Sequence, residues 1–119
     1  MINKIQLSRN FSLYEFESPD TKEVMIYDGL ILKLQQARDI VKIPFFITSG
    51  YRTEKHNTLV KGMPKSQHRI GAAVDISILN HGGKELKKIL IEVGFLQVIL
   101  YSKRNFIHCA LFKKNPIMK

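Results

Sequence analysis

The sequence predicts an α+β fold, a single small domain with an antiparallel sheet and flanking helices. Three observations predict it. Apolar residues recur at helical spacing in two stretches, Leu30-Leu34-Ala37-Val41 and Leu86-Leu90-Val93. Apolar, β-prone runs over 72–79, 95–101 and 106–112 read as strands, the last two joined as a hairpin by Ser102-Lys103-Arg104-Asn105. The 119 residues, 45% apolar and 24% charged, suffice for one core, so residues 1–119 are read as one domain.

The elements follow in order. Phe11, Leu13, Tyr14 and Phe16 precede Ser18-Pro19-Asp20, a turn signal. A helix is expected over 27–41, where Lys33, Gln35, Gln36 and Arg38 fill the polar face, and Ile43-Pro44 ends it. Phe45 to Thr48 is a short strand closed by Ser49-Gly50. Thr53 to Val60 is a short helix with Thr53 as N-cap, followed by the loop 61–65. In the strand over 72–79, Val74, Ile76 and Ile78 share one face, and Ala73, Asp75 and Ser77 the other. Asn80 to Gly83 is a turn, and Lys84 to Val93 a helix.

Composition narrows the function classes. The net charge of +9, from 19 Lys+Arg against 10 Asp+Glu, favours an anionic partner such as nucleic acid, an acidic membrane surface or an anionic cell-wall polymer. The basic residues form no dense block, although Lys113, Lys114 and Lys119 make the tail basic, so no specific nucleic-acid partner is expected. No apolar run is long enough to span a bilayer, and residues 1–10 lack the apolar stretch of a signal peptide. Synthesis in the cytoplasm, as a monomer, is the expectation. The single cysteine, Cys109, excludes an intrachain disulfide. Its neighbour His108 points to the opposite strand face, so Cys109 is read as a buried core residue.

The chemistry concentrates in Ser66-Gln67-His68-Arg69-Ile70-Gly71-Ala72-Ala73-Val74-Asp75 and in His108. Two histidines and one carboxylate, with a position left for water, are the ligand set of a catalytic zinc site. Seven extended residues would span roughly 23 Å, so the chain between His68 and Asp75 must double back. Gly71 is the natural place, because glycine takes dihedrals closed to other residues. His108 joins Asp75 if their strands are neighbours. His56 is read as helix surface and His81 as a turn residue.

The pattern Ser66-x-His68-x-x-Gly71-x-Ala73-x-Asp75, followed by Phe106-Ile107-His108, resembles the zinc D-Ala-D-Ala peptidase family. That family includes D-Ala-D-Ala carboxypeptidases, dipeptidases of vancomycin resistance, and phage endolysins that cut peptidoglycan stems. The resemblance extends to residues 47–53, His56-Asn57 and residues 10–16, and so covers about residues 8–112. It implies the small fold shared with the hedgehog signalling domain, Zn2+ held by His68, Asp75 and His108, and peptidoglycan peptides as substrate. A phage-lysin-like protein released to the wall by another protein would suit the missing signal peptide.

The resemblance also assigns supporting roles. Arg52 would hold substrate near the metal, through two parallel hydrogen bonds to a carboxylate or carbonyl. Ser66 would bond substrate or cap its loop. Ser49 and Tyr51 would line the cleft, with Tyr51 equally readable as core. The implied reaction is metal-assisted hydrolysis with a carboxylate to carry the proton. Relatives commonly place that carboxylate three residues before the last histidine, where this chain has Asn105, while the hedgehog-like position holds Ser102. The remaining acidic candidates are Glu54, Glu15 and Glu17. An active zinc peptidase and a catalytically impaired, zinc-containing binder of wall peptides are therefore both open.

Overall fold

The computed structural model describes residues 2–118, so Lys119 of the basic tail lies outside the described residues. Two short strands, β1 (Gln6–Ser8) and β2 (Phe11–Ser12), form a separate hairpin, followed by a 3₁₀ turn at Leu13–Phe16. Helix α1 (Leu30–Val41) precedes strand β3 (Ile47–Ser49) and helix α2 (Glu54–Leu59). A 3₁₀ turn at Gln67–Ile70 leads into β4 (Ala73–Ser77). Then come α3 (Gly83–Glu92), β5 (Gln97–Tyr101) and β6 (Phe106–Ala110). The main sheet runs β3-β4-β6-β5, antiparallel at every step. This is the compact α+β domain that the two periodicities predict.

One face of the sheet builds the core. Val74 and Ile76 of β4, and Ile107 and Cys109 of β6, pack with Leu30, Leu34 and Ala37 of α1 and Leu86 and Leu90 of α3. Cys109 is fully buried there, as its strand position predicts. Phe11, Phe16 and Phe45 extend this core, with ring centroids 6.0 and 6.2 Å from Phe11.

Several boundaries differ from the sequence expectation, each for a local reason. Helix α1 starts three residues later than expected, because Gly29 stands at φ 91°, outside the helical region. It ends as expected before Pro44, with Lys42 left-handed and its N–H on Arg38 O. β3 lies two residues later than Phe45, because its register pairs with β4 begin at Ile47, opposite Ile76, and continue at Ser49, opposite Asp75. β5 starts at Gln97 rather than Phe95, whose side chain belongs to the core. The hairpin forms as read, with a 3₁₀ turn at Ser102–Arg104 closed by left-handed Asn105 at φ 58°, a conformation asparagine tolerates. The β1–β2 hairpin and the 3₁₀ turns at Leu13–Phe16 and Gln67–Ile70 were not expected.

Candidate metal centre

The other face of the sheet is the floor of a cleft of about 1450 Å³. Asp75 and His108 stand directly opposite each other on β4 and β6. His68 arrives from the preceding turn. Ser66 caps that turn, its Oγ accepting from His68 N at 3.2 Å. The turn ends at Gly71 in the left-handed region, φ 70°. A Cβ there would lie 2.0 Å from Met25 O, so glycine is required for both dihedral and space. The seven-residue segment thereby doubles back, and the rings of His68 and His108 stand 5.3 Å apart.

Hydrogen bonds choose which nitrogen of each ring faces the centre. His68 Nδ1 lies 2.7 Å from Gly50 O, which only accepts, so Nδ1 carries a proton and Nε2 is the nitrogen left to face the centre. Nε2 is fully buried, has no hydrogen-bond partner, and lies 3.3 Å from Asp75 Oδ1. His108 Nε2 lies 2.8 Å from Gln97 Oε1, and its Nδ1 faces Asp75 Oδ1 at 3.1 Å. Three potential ligand atoms thus converge, all within 4.8 Å of one another. Lone pairs so placed repel unless a proton or a metal ion lies between them, and leaving one orphaned in a buried site is costly. Ligands about 2.0–2.1 Å from a tetrahedral zinc stand about 3.3 Å from one another, so the spacings at Asp75 fit a metal of that size. Burial pushes the Asp75 carboxyl up, but with protons on the facing His108 and His68 nitrogens their hydrogen bonds and charge outweigh this and hold it well below the usual carboxylate range, as a cation at the same centre would. The site therefore keeps an anionic ligand.

Arg52 flanks the group. Its Nη2 donates to Asp75 Oδ2 at 3.4 Å, Nε to Ser49 Oγ at 3.1 Å and Nη1 to Asn57 Oδ1 at 3.3 Å. Its backbone N–H holds His68 O at 3.0 Å. Burial lowers the pKa of the guanidinium and Asp75 opposes that. The N-terminal segment sets this loop in place: Tyr51 N bonds Phe16 O, Thr53 N bonds Ser18 Oγ, and a Cβ on Gly50 would lie 2.6 Å from Phe16 Cα. Gly50 O can then orient His68.

The other candidates are placed as follows. Ser49 and Ser66 line the cleft; Tyr51 is not among its lining residues, and its backbone N–H bonds Phe16 O. Thr53 caps α2, accepting from His56 N at 3.1 Å. His56 on α2 lines the cleft, whereas His81 bonds Pro44 O at a turn. Asn105 is exposed at the hairpin turn, outside the cleft lining. The acidic candidates also face elsewhere. Glu15 accepts from Ser12 N, Glu17 from Asn3 Nδ2, and Glu54 is exposed beside Arg69. Asp75 is the only carboxylate among the described residues that line the cleft. Sequence reasoning missed Gln97 and Asn57 as supports; the signal for Gln97 was that it is the polar residue in the strand Gln97-Val98-Ile99-Leu100-Tyr101.

The profile of the Peptidase M15 family matches residues 15–110. No individual curated protein matches the chain. The matched span carries the Arg52 loop, the turn of His68, Asp75 on β4 and His108 on β6, the elements that build this buried His-Asp-His group, and the chain belongs to the peptidase M15 family.

Proposed function

We propose that this chain is a zinc metallopeptidase that hydrolyses peptide bonds of peptidoglycan stem peptides, as a D-Ala-D-Ala carboxypeptidase or an endolysin-type endopeptidase. The observation that carries the reading is the convergence of three potential ligand atoms on the floor of a cleft large enough for a peptide. Membership of a zinc-dependent peptidase family supports the metal and the bond class. Bound by His68, Asp75 and His108, zinc supplies a Lewis acid that polarises a carbonyl and activates water.

The chain's own residues bind and orient the substrate. Arg52, held by Ser49 and Asn57, presents a fixed cation beside the site and suits a substrate carboxylate or carbonyl. Lys61, Lys65, Arg104, Lys113 and Lys114 line the same cleft and form no ion pair among the described residues. Stem peptides carry free carboxylates, and a cleft with an excess of positive charge concentrates them. Synthesis in the cytoplasm and release to the wall, as for a phage lysin, complete the proposal. Expression alone should then leave host cells intact, and co-expression with a membrane-permeabilising protein should lyse them.

The direct test incubates zinc-loaded protein with purified muropeptides and weighs the products. New amine termini are expected, absent with His108→Ala, and the product masses identify the bond. No product at any zinc loading would sink the enzymatic reading. One observation favours a second reading, a wall-peptide binder without turnover: the cleft's described carboxylate, Asp75, already serves the metal group. Calorimetric binding of muropeptide without product would establish that alternative.

A further inference from the structure

We infer that Gln97 is a positioning residue for the metal centre, fixing the His108 imidazole in the form that presents Nδ1 to the ion. The inference rests on the reading of His68, Asp75 and His108 as metal ligands.

Gln97 opens β5, whose register pairs Ile99 with His108 and Gln97 with Ala110. Gln97 therefore lies two residues along from the position opposite His108, on the same face of the sheet. Its Oε1 is 2.8 Å from His108 Nε2, while its own Nε2 donates to Lys113 O at 3.4 Å. The second bond, long as it is, favours this orientation of the amide. Turned over, Gln97 would set its oxygen against the Lys113 carbonyl, two acceptors face to face. With Oε1 toward the ring, His108 Nε2 must carry the proton, because a carboxamide oxygen cannot donate. In the neutral ring His108 Nδ1 is then bare and directed at Asp75 Oδ1.

Without Gln97, the proton can move to Nδ1, where Asp75 Oδ1 would accept it at 3.1 Å. That tautomer satisfies the ring internally and blocks the metal. Gln97 thus removes the competing hydrogen bond. A neutral amide does this without adding charge; a carboxylate at the same place would do it and raise the basicity of the ligand.

Zinc affinity is measured by competition with a chromophoric chelator for the wild type, Gln97→Leu and Gln97→Glu. Long-range proton–nitrogen correlation spectra of the metal-free wild type and variants read the His108 tautomer at mildly alkaline pH. Gln97→Leu should weaken zinc binding by about 10–100-fold and populate the Nδ1–H form, while Gln97→Glu should restore both. Equal affinity in Gln97→Leu and wild type overturns the inference. So does an Nδ1–H ring in the metal-free wild type, a result that needs no variant to fold. A wild type that binds no zinc removes the metal-site reading itself, a different outcome from a wild type that binds and a variant that binds equally.

Discussion

Strand β4 has two buried faces that are held together by different physics. On one face Val74 and Ile76 are fully excluded from water among the apolar side chains of α1, α3 and β6. On the other, Asp75 is 6% exposed and faces two histidines and an arginine. The apolar face gains free energy from many small contacts, so the loss of one is partial and the rest remain. The polar face depends on a few directed bonds and on the sign of charge at its centre, and a missing partner leaves a buried group uncompensated. Stability is therefore graded on the first face, and function is close to all-or-none on the second.

The largest effect should come from the metal. Zinc at a thousandfold excess over its dissociation constant should stabilise the fold by ~4 kcal/mol, raising the melting temperature by roughly 15 °C. A scanning calorimetry trace unchanged by a chelator would remove the distinction between the faces. His68→Ala should abolish that zinc response while leaving a cooperative transition, because the core face stays intact.

Ile76→Ala tests the other face. It should cost about 3 kcal/mol in urea denaturation and leave the zinc dissociation constant nearly unchanged in the folded protein. A large loss of zinc affinity would show that the two faces are coupled through the strand. Gly71→Ala sits between them, since its positive φ holds His68 over Asp75. It should cost at least about 1–2 kcal/mol from the left-handed conformation alone, with further cost from the Met25 carbonyl, and it should also weaken zinc binding. Retained affinity would mean that the turn is not what places His68.

The smallest effect is expected from Cys109→Ala, on the core side of β6. It should destabilise by about 1 kcal/mol and leave zinc affinity unchanged, as measured in one chelator titration. Weakened binding would place a thiolate at the centre, against its buried position away from the cleft. Burial, and secondarily the Asp75 charge, raises that thiol well above its ordinary value, which keeps it protonated and a poor ligand.

Local patterns made much of this legible. Helical spacing at Leu30, Leu34 and Ala37 and period-two spacing at Val74 and Ile76 located the core, because side-chain direction in a regular element follows from residue number alone. The same rule put Asp75 and His108 on one face and Cys109 on the other. Gly71 was legible as the reversal point because a glycine between two ligands that must meet has few other roles. Where the carboxylates point was not legible: Glu15, Glu17 and Glu54 occur in or beside matched segments, yet each is occupied elsewhere, in a cap, with Asn3, or beside Arg69.

By itself, the sequence determined the α+β class and the faces of each strand, since these depend on periodicity, and it singled out the three convergent residues through their ligand chemistry and the family resemblance of their motif. Only the tertiary structure decided that β4 and β6 are neighbours with Asp75 opposite His108. It also decided that Gly50 O and Gln97 select the facing nitrogens, and that one carboxylate among the described residues reaches the cleft. Strand pairing, register and hydrogen-bond partners join residues far apart in the chain, where local spacing carries no directional information.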